Sequence, residues 1–201
     1  MAAASSTRQR ILDAATDLFG LRGVEATSLD TIASEVGVAK QTLLYWFPSK
    51  DDLVQAVLTA AVVEVSLVVD ASIRASGDHP LDRIDAVVKA VFRQGVRRPA
   101  LLGLVRELGR STAGSSGRLQ VAFEPLAARA VEYLRAEMAR GRLRAADPRM
   151  VVALCYATVT GIATEPEALR MVGWQASVAD LRRLRDELRA FLRAALTPSH
   201  P

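Results

Sequence analysis

The stretch TSLDTIASEVGVAKQTLLYWFPSK, residues 27–50, limits what this chain can become more than any other. Leu29, Ile32, Ala33 and Val36 fall at i, i+3, i+4 and i+7, the apolar face of a short helix. Thr27 reads as its N-cap, with Asp30 three residues on completing a capping-box pattern. Gly37 stops the helix, because glycine takes a positive φ where other residues are strained. Only two residues later a second helical pattern begins, expected over 39–47. Pro48 breaks it, and Ser49 with Asp52 opens the next helix. Two short helices about a glycine turn make a helix-turn-helix. Ile32, Val36, Val38, Leu43 and Trp46 are its expected inner face.

The remaining sequence repeats the helical signal and never the strand signal. No alternating β-branched run lies between turn residues. Half of the residues are hydrophobic but only 5% are aromatic, with Ala, Leu, Val and Arg dominant, which favours helix. Helices are expected at about 7–21, 28–36, 39–47, 50–74, 81–96, 100–110, 118–140, 148–163 and 178–196. The last is capped by Ser177 with Asp180. The fold class is all-α with about nine helices: a three-helix N-terminal domain over 1–50 and a helical domain over 51–201. At 201 residues the chain is long enough for one or two cores.

Charge and cysteine content narrow the partners. The net charge is +4 and the pI about 9.7, which mildly favours a polyanion. Residues 1–50 hold five cations and five acids, yet every acid precedes Gly37. From Gly37 to Lys50 there are two lysines and no acid, so the basic signal is local. The single cysteine, Cys155, forbids an internal disulfide and fits a reducing cytoplasm. The greasy stretch 53–69 is interrupted by Gln55, Thr59, Glu64 and Ser66, and reads as a buried helix rather than a membrane span. No nucleophile elbow, phosphate-binding glycine loop or dinucleotide fingerprint is present. His79 and His200 lack partners at metal-ligand spacing. No catalytic residue, no metal and no cofactor is expected, and the chain is not expected to be an enzyme.

On a helix over 39–47, Leu43 and Phe47 point one way. Lys40, Gln41, Leu44 and Tyr45 lie opposite, with Thr42 at the margin. That outer face suits a DNA major groove. Lysine reaches guanine acceptors or phosphate, glutamine pairs bidentately with adenine, and an apolar side chain meets a thymine methyl. Tyr45 and Lys50 lie where phosphate contacts set register. Thr27, Ser28 and the amides opening the preceding helix could hold another phosphate. Each residue alone reads more simply as solvated surface or core. Together, on the second helix of this unit, they favour double-stranded DNA.

Residues 8–53, "RQRILDAATDLFGLRGVEATSLDTIASEVGVAKQTLLYWFPSKDDL", resemble the N-terminal domain of TetR-family transcriptional regulators. The resemblance covers about a quarter of the chain. It implies a homodimer that binds palindromic operator DNA, a small-molecule effector held in the C-terminal domain, and release of DNA when that molecule binds. A repressor is the expected form. One position departs: the family usually has tyrosine where Leu44 stands, and Tyr45 is displaced by one residue, about 100° around the helix. Either Tyr45 takes the phosphate contact or Leu44 makes an apolar one.

In the C-terminal half, Leu181, Leu184, Leu188 and Phe191 form an apolar seam on a helix whose back carries arginines. MVVALCYATVTGIA, residues 150–163, holds no charge and needs cover on several sides. A four-helix dimer interface built from these two helices would supply it. The effector pocket implied by the resemblance has Val57, Leu104, Phe123 and Tyr156 as candidate walls and Glu107 or Arg106 as a polar anchor. The apolar interior suggests a hydrophobic effector. The alternative is a helical small-molecule-binding or scaffold protein whose helix-turn-helix does not read DNA.

Overall fold

A computed structural model describes residues 6–110, 115–164, 170–171, 173–175 and 177–198. The described residues form nine helices and no strand: α1 Thr7–Arg22, α2 Leu29–Val36, α3 Lys40–Trp46, α4 Lys50–Ala75, α5 Pro80–Arg97, α6 Pro99–Arg110, α7 Ser115–Ala139, α8 Pro148–Thr164 and α9 Val178–Leu196. Half of 163–176, expected as a mixed connection, lies outside the described residues: 165–169, 172 and 176. So does 111–114 of the expected loop 111–117. Its last three residues instead open α7, which carries Pro125 inside it.

The chain divides into two compact units, and they do not divide at residue 50. The first comprises residues 1–63 and 98–122, the second 64–97 and 123–201. α4 and α7 therefore each contribute to both, and α6 belongs with the N-terminal helices.

In the first unit, Ile11, Ala15 and Phe19 of α1, Ile32 of α2, Leu43 of α3 and Leu53 of α4 are all fully buried. Burying the isoleucine, leucine and phenylalanine side chains among these contributes about 1.5–3 kcal/mol each before conformational entropy is subtracted. α6 lies against α1 at a pair of glycines. A Cβ on Gly20 would meet Ala100 O at 2.2 Å, and one on Gly103 would meet Gly20 O at 2.2 Å. The two backbones come this close only because neither residue carries a side chain.

The second unit is built on a cluster of Leu81, Val88 and Phe92 of α5, Leu134 of α7, Leu143, and Leu188, Leu192 and Leu196 of α9. Val151, Val152, Cys155 and Val159 of α8 pack against it. Arginines of α9 tie it to α5. Arg189 makes two hydrogen bonds to the Asp85 carboxylate, one of them 2.8 Å, and Arg193 reaches Asp82 at 3.0 Å. Lys89 also pairs with Asp85 at 3.0 Å. The bond from Arg189, and then that from Lys89, draws the Asp85 carboxyl down to about 2, against the opposing effect of burial. Glu137 is buried and balanced by Arg140 at 3.1 Å and Arg142 at 2.6 Å. Arg144 bonds through its backbone N–H to Leu196 O at 2.8 Å and closes the end of α9.

α4 meets the expectation of a buried helix only in part, since Val63 and Leu67 are 52% and 62% exposed. It runs for 26 residues, about 39 Å. It is the one helix among the described residues long and apolar enough to cross a bilayer. Its first turns, however, place Leu53, Val54, Val57 and Leu58 in the buried interior of the first unit. Within the second unit Glu64 accepts from Gln94 at 2.5 Å, and Asp70 pairs with Arg129.

Candidate nucleic-acid interface

The turn between α2 and α3 is set by backbone chemistry. Gly37 has φ 72° and ψ 40°, the left-handed region. Its N–H donates to Ser34 O at 3.1 Å and that of Val38 to Ala33 O at 2.9 Å. This 5→2 and 6→1 pair of bonds is a Schellman motif. The turn therefore closes α2 and aims α3 in the same few residues. Arg10 of α1 donates to Val36 O at the end of α2. Lys50 donates to Glu25 O at 3.3 Å, tying the start of α4 to the loop before α2. Ser49 caps α4 as expected, accepting from Asp52 N–H at 3.0 Å.

The N-cap of α2 is one residue later than the sequence suggested. Ser28 accepts from Thr31 N–H at 3.0 Å, whereas Thr27 is fully buried. The Thr27 hydroxyl donates to Gly23 O at 2.8 Å and approaches Leu18 O at 3.4 Å. Its side chain braces the loop and is withdrawn from the set of DNA-contacting candidates. Ser28, by contrast, is exposed.

α3 presents two faces. Leu43 is fully buried, and Phe47, just past the helix end, is nearly so, with the Arg8 guanidinium 5.2 Å from its ring centroid. Lys40, Gln41 and Tyr45 are exposed, and Thr42 and Leu44 are half-buried. Trp46 was expected on the inner face but is 41% exposed. Leu43 and Phe47 take the inward direction, and Trp46, about 100° from Phe47 on the helix, is left at the rim. There it meets Tyr45 edge-on, ring centroids 5.2 Å apart. Leu44 stays half-buried while Tyr45 is 78% exposed. Of the two, Tyr45 is the one turned to solvent.

The charge on this face is not as simple as the run of acid-free sequence implied. Lys40 Nζ lies 2.7 Å from Asp30 Oδ2, bridging the first turns of α3 and α2. Asp30 lies ten residues upstream, so linear charge counting did not bring the two together.

Residues 11–57 match the model for bacterial regulatory proteins of the tetR family. This segment is similar to the N-terminal domain of TetR-family regulators. The matched segment runs from the buried Ile11 of α1 to the buried Val57 of α4, so it contains the whole helix-turn-helix and the helix that follows it. Among curated relatives, the transcriptional regulator RutR of Escherichia coli is 48% identical over 56 residues, 28% of this chain and 26% of RutR. The chain thus matches about a quarter of the length of that relative. The regulator TcmR of Streptomyces glaucescens is 29% identical over 142 residues, 68% of this chain and 57% of TcmR. Among solved structures, the fatty acid degradation regulator FadR from Bacillus halodurans superposes with a TM-score of 0.79 at 18% identity. It covers 94% of this chain and 95% of FadR, a likeness of fold. TetR-family proteins are transcriptional regulators, and DNA binding is a property of the family.

The remaining candidates fare unevenly. Leu104 is buried in the first unit. Phe123 is half-buried and Tyr156 nearly half exposed, both in the second. The Glu107 side chain lies outside the described residues. A hollow of about 490 Å³ in the second unit is lined by Arg135, Met138, Ala139 and residues 145–149, and includes none of these four.

The seam on α9 also needs correction. Leu188 is buried in the unit's own cluster, with Leu184 packed against it, while Leu181 is half-buried. Only Phe191 of the four points clearly outward, 59% exposed. α8, expected with α9 in the interface, shows which of its residues turn outward. Met150 and Leu154 are 58% and 51% exposed, and Ala153 and Ala157 are exposed beside them. These four fall at i, i+3, i+4 and i+7, a single stripe. The signal was present in the sequence as a helix apolar on every face, but period alone could not say which face turned outward.

Proposed function

We propose that the protein is a ligand-responsive transcriptional repressor that binds a palindromic operator as a homodimer and leaves it when a small molecule binds. The observation that carries this reading is the outward face of α3, where Lys40, Gln41 and Tyr45 stand exposed on a helix aimed by the Gly37 turn. In this reading Lys40 and Gln41 meet base edges and Leu44 touches a thymine methyl. Tyr45, Thr42, Lys50 and Ser28 meet phosphates and set register. The protein acts in the cytoplasm, where DNA is available.

The dimer is formed through the exposed stripe of α8 together with Phe191 of α9. Apolar side chains so exposed and so aligned mark an interaction surface. Two recognition helices then meet half-sites about 34–36 Å apart, or a multiple of that spacing. The effector enters the helical C-terminal part. FadR of B. halodurans is by its description a regulator of fatty acid degradation, which agrees with a hydrophobic effector here. α4 couples the two events, since it contributes residues to both units. A ligand shifts that equilibrium only by its difference in affinity for the two states, about 1–3 kcal/mol.

Sedimentation of the protein with DNA from its own upstream region tests the reading. Two chains per palindromic site are expected, with no stable complex on a single half-site. A protein that sediments unchanged with every DNA, yet still binds small hydrophobic molecules, supports the alternative of a helical binding protein with a structural helix-turn-helix.

A further inference from the structure

We infer that Asp30 and Lys40 act as one reading unit that selects a G·C base pair, the lysine donating to guanine and the carboxylate accepting from cytosine. The inference rests on the DNA-reading function proposed above and specifies what one part of that face recognises. Lys40 is the first residue of α3 and Asp30 lies in the first turn of α2. Their side chains meet at 2.7 Å, with 50% and 65% of their surface exposed. An ion pair this open adds at most about 1 kcal/mol to folding. Stability therefore does not account for an acid set on the surface that must approach a polyanion.

Recognition does account for it. In the major groove a G·C pair shows guanine N7 and O6 as acceptors and the cytosine N4 amino group as a donor. An ammonium has three donors and a carboxylate about four acceptor sites. The bond between the two side chains uses one of each and leaves the rest for the bases. A donor held beside an acceptor is the complement of O6 beside N4, and the pair engages three hydrogen bonds in all. An A·T pair in the same place offers at most two, and leaves thymine O4 or adenine N7 facing the carboxylate unmatched. Asp30 also cancels part of the charge of Lys40 away from its site. That lowers attraction to DNA of any sequence, which depends on cations meeting phosphates. Ser28 and Thr31, beside Asp30, direct their hydroxyls to each other at 2.8 Å.

Selection from a random DNA library with the full-length wild type, Asp30→Ala and Lys40→Ala tests this, with thermal midpoints measured to confirm that each variant folds. The wild type is expected to enrich a palindrome with a fixed G·C pair in each half. Asp30→Ala should enrich the same palindrome with that one position relaxed, its preference falling roughly ten-fold or more. Binding of the same variant to unrelated DNA should tighten. An unchanged preference at every position in Asp30→Ala, or a uniform loss across all sequences, overturns the reading unit while leaving DNA recognition standing. Failure of the wild type to enrich any sequence overturns DNA reading itself, and this inference with it.

Discussion

Among the described residues the first unit buries more of its apolar side chains than the second, and the two are specified in different ways. In the first, position is fixed by backbone geometry: a Schellman turn at Gly37, serine caps at α2 and α4, and two glycines where α1 meets α6. In the second, helices are held by a leucine-rich cluster and by arginine–aspartate pairs along α5 and α9, and an apolar stripe remains open on α8. Turn chemistry and close approach admit few residue types, so the first unit leaves a signature in sequence. Leucine clusters and surface ion pairs admit many arrangements, so the second leaves almost none.

The comparison is broken most severely at the glycines. Gly103→Val should destabilise the chain by about 3 kcal/mol or more, because its Cβ strikes backbone that no rotamer change can move. Gly117, in α7 with nothing within 4 Å of a built Cβ, is the control. Gly117→Ala should raise stability by about 0.5–1 kcal/mol. Urea denaturation midpoints of both proteins decide it, and a tolerated Gly103→Val would remove the close approach from this account.

Leu192→Ala probes the second unit's cluster and should cost about 2–5 kcal/mol by the same measurement, depending on how far the site collapses. On the outer stripe, Leu154→Glu should leave helix content intact yet shift the protein from dimer to monomer in analytical ultracentrifugation. A dimer that survives this change moves the interface elsewhere.

The smallest effect concerns Asp85. Its folded carboxyl sits at about 2, below the ordinary 3.8. A depressed carboxyl contributes stability that is present above the unfolded value and is lost as pH falls through the folded one. Unfolding free energy should therefore drop by about 1 kcal/mol between pH 4 and pH 2 on account of this group, discounted for solvent at the rim. In Asp85→Asn that part of the slope should vanish. An unchanged slope places the acid sensitivity in other carboxylates.

These contrasts explain what the sequence could disclose. Periodicity and caps located the helices to within a few residues, and Ser49 and Ser177 both cap as their spacing indicated. Thr27 and Ser28 were misassigned because both are good caps and only packing tells them apart. Trp46 is hydrophobic enough to suggest an inward position, but helix phase carries it to the rim. Leu184 and Leu188 were given to a partner although their own cluster claims them. The pairing of Lys40 with Asp30 depends on how two helices cross and could not be read from residues ten positions apart.

The central claim is that the exposed face of α3 reads DNA. Its most direct test is a titration of wild type, Lys40→Ala and Gln41→Ala against the selected palindrome at two salt concentrations. The account predicts tight, salt-dependent binding by the wild type, weakened by about 1–3 kcal/mol in either variant on the palindrome and little on unrelated DNA. Variants that bind the palindrome as well as the wild type does would contradict it, and α3 would then be only part of the scaffold.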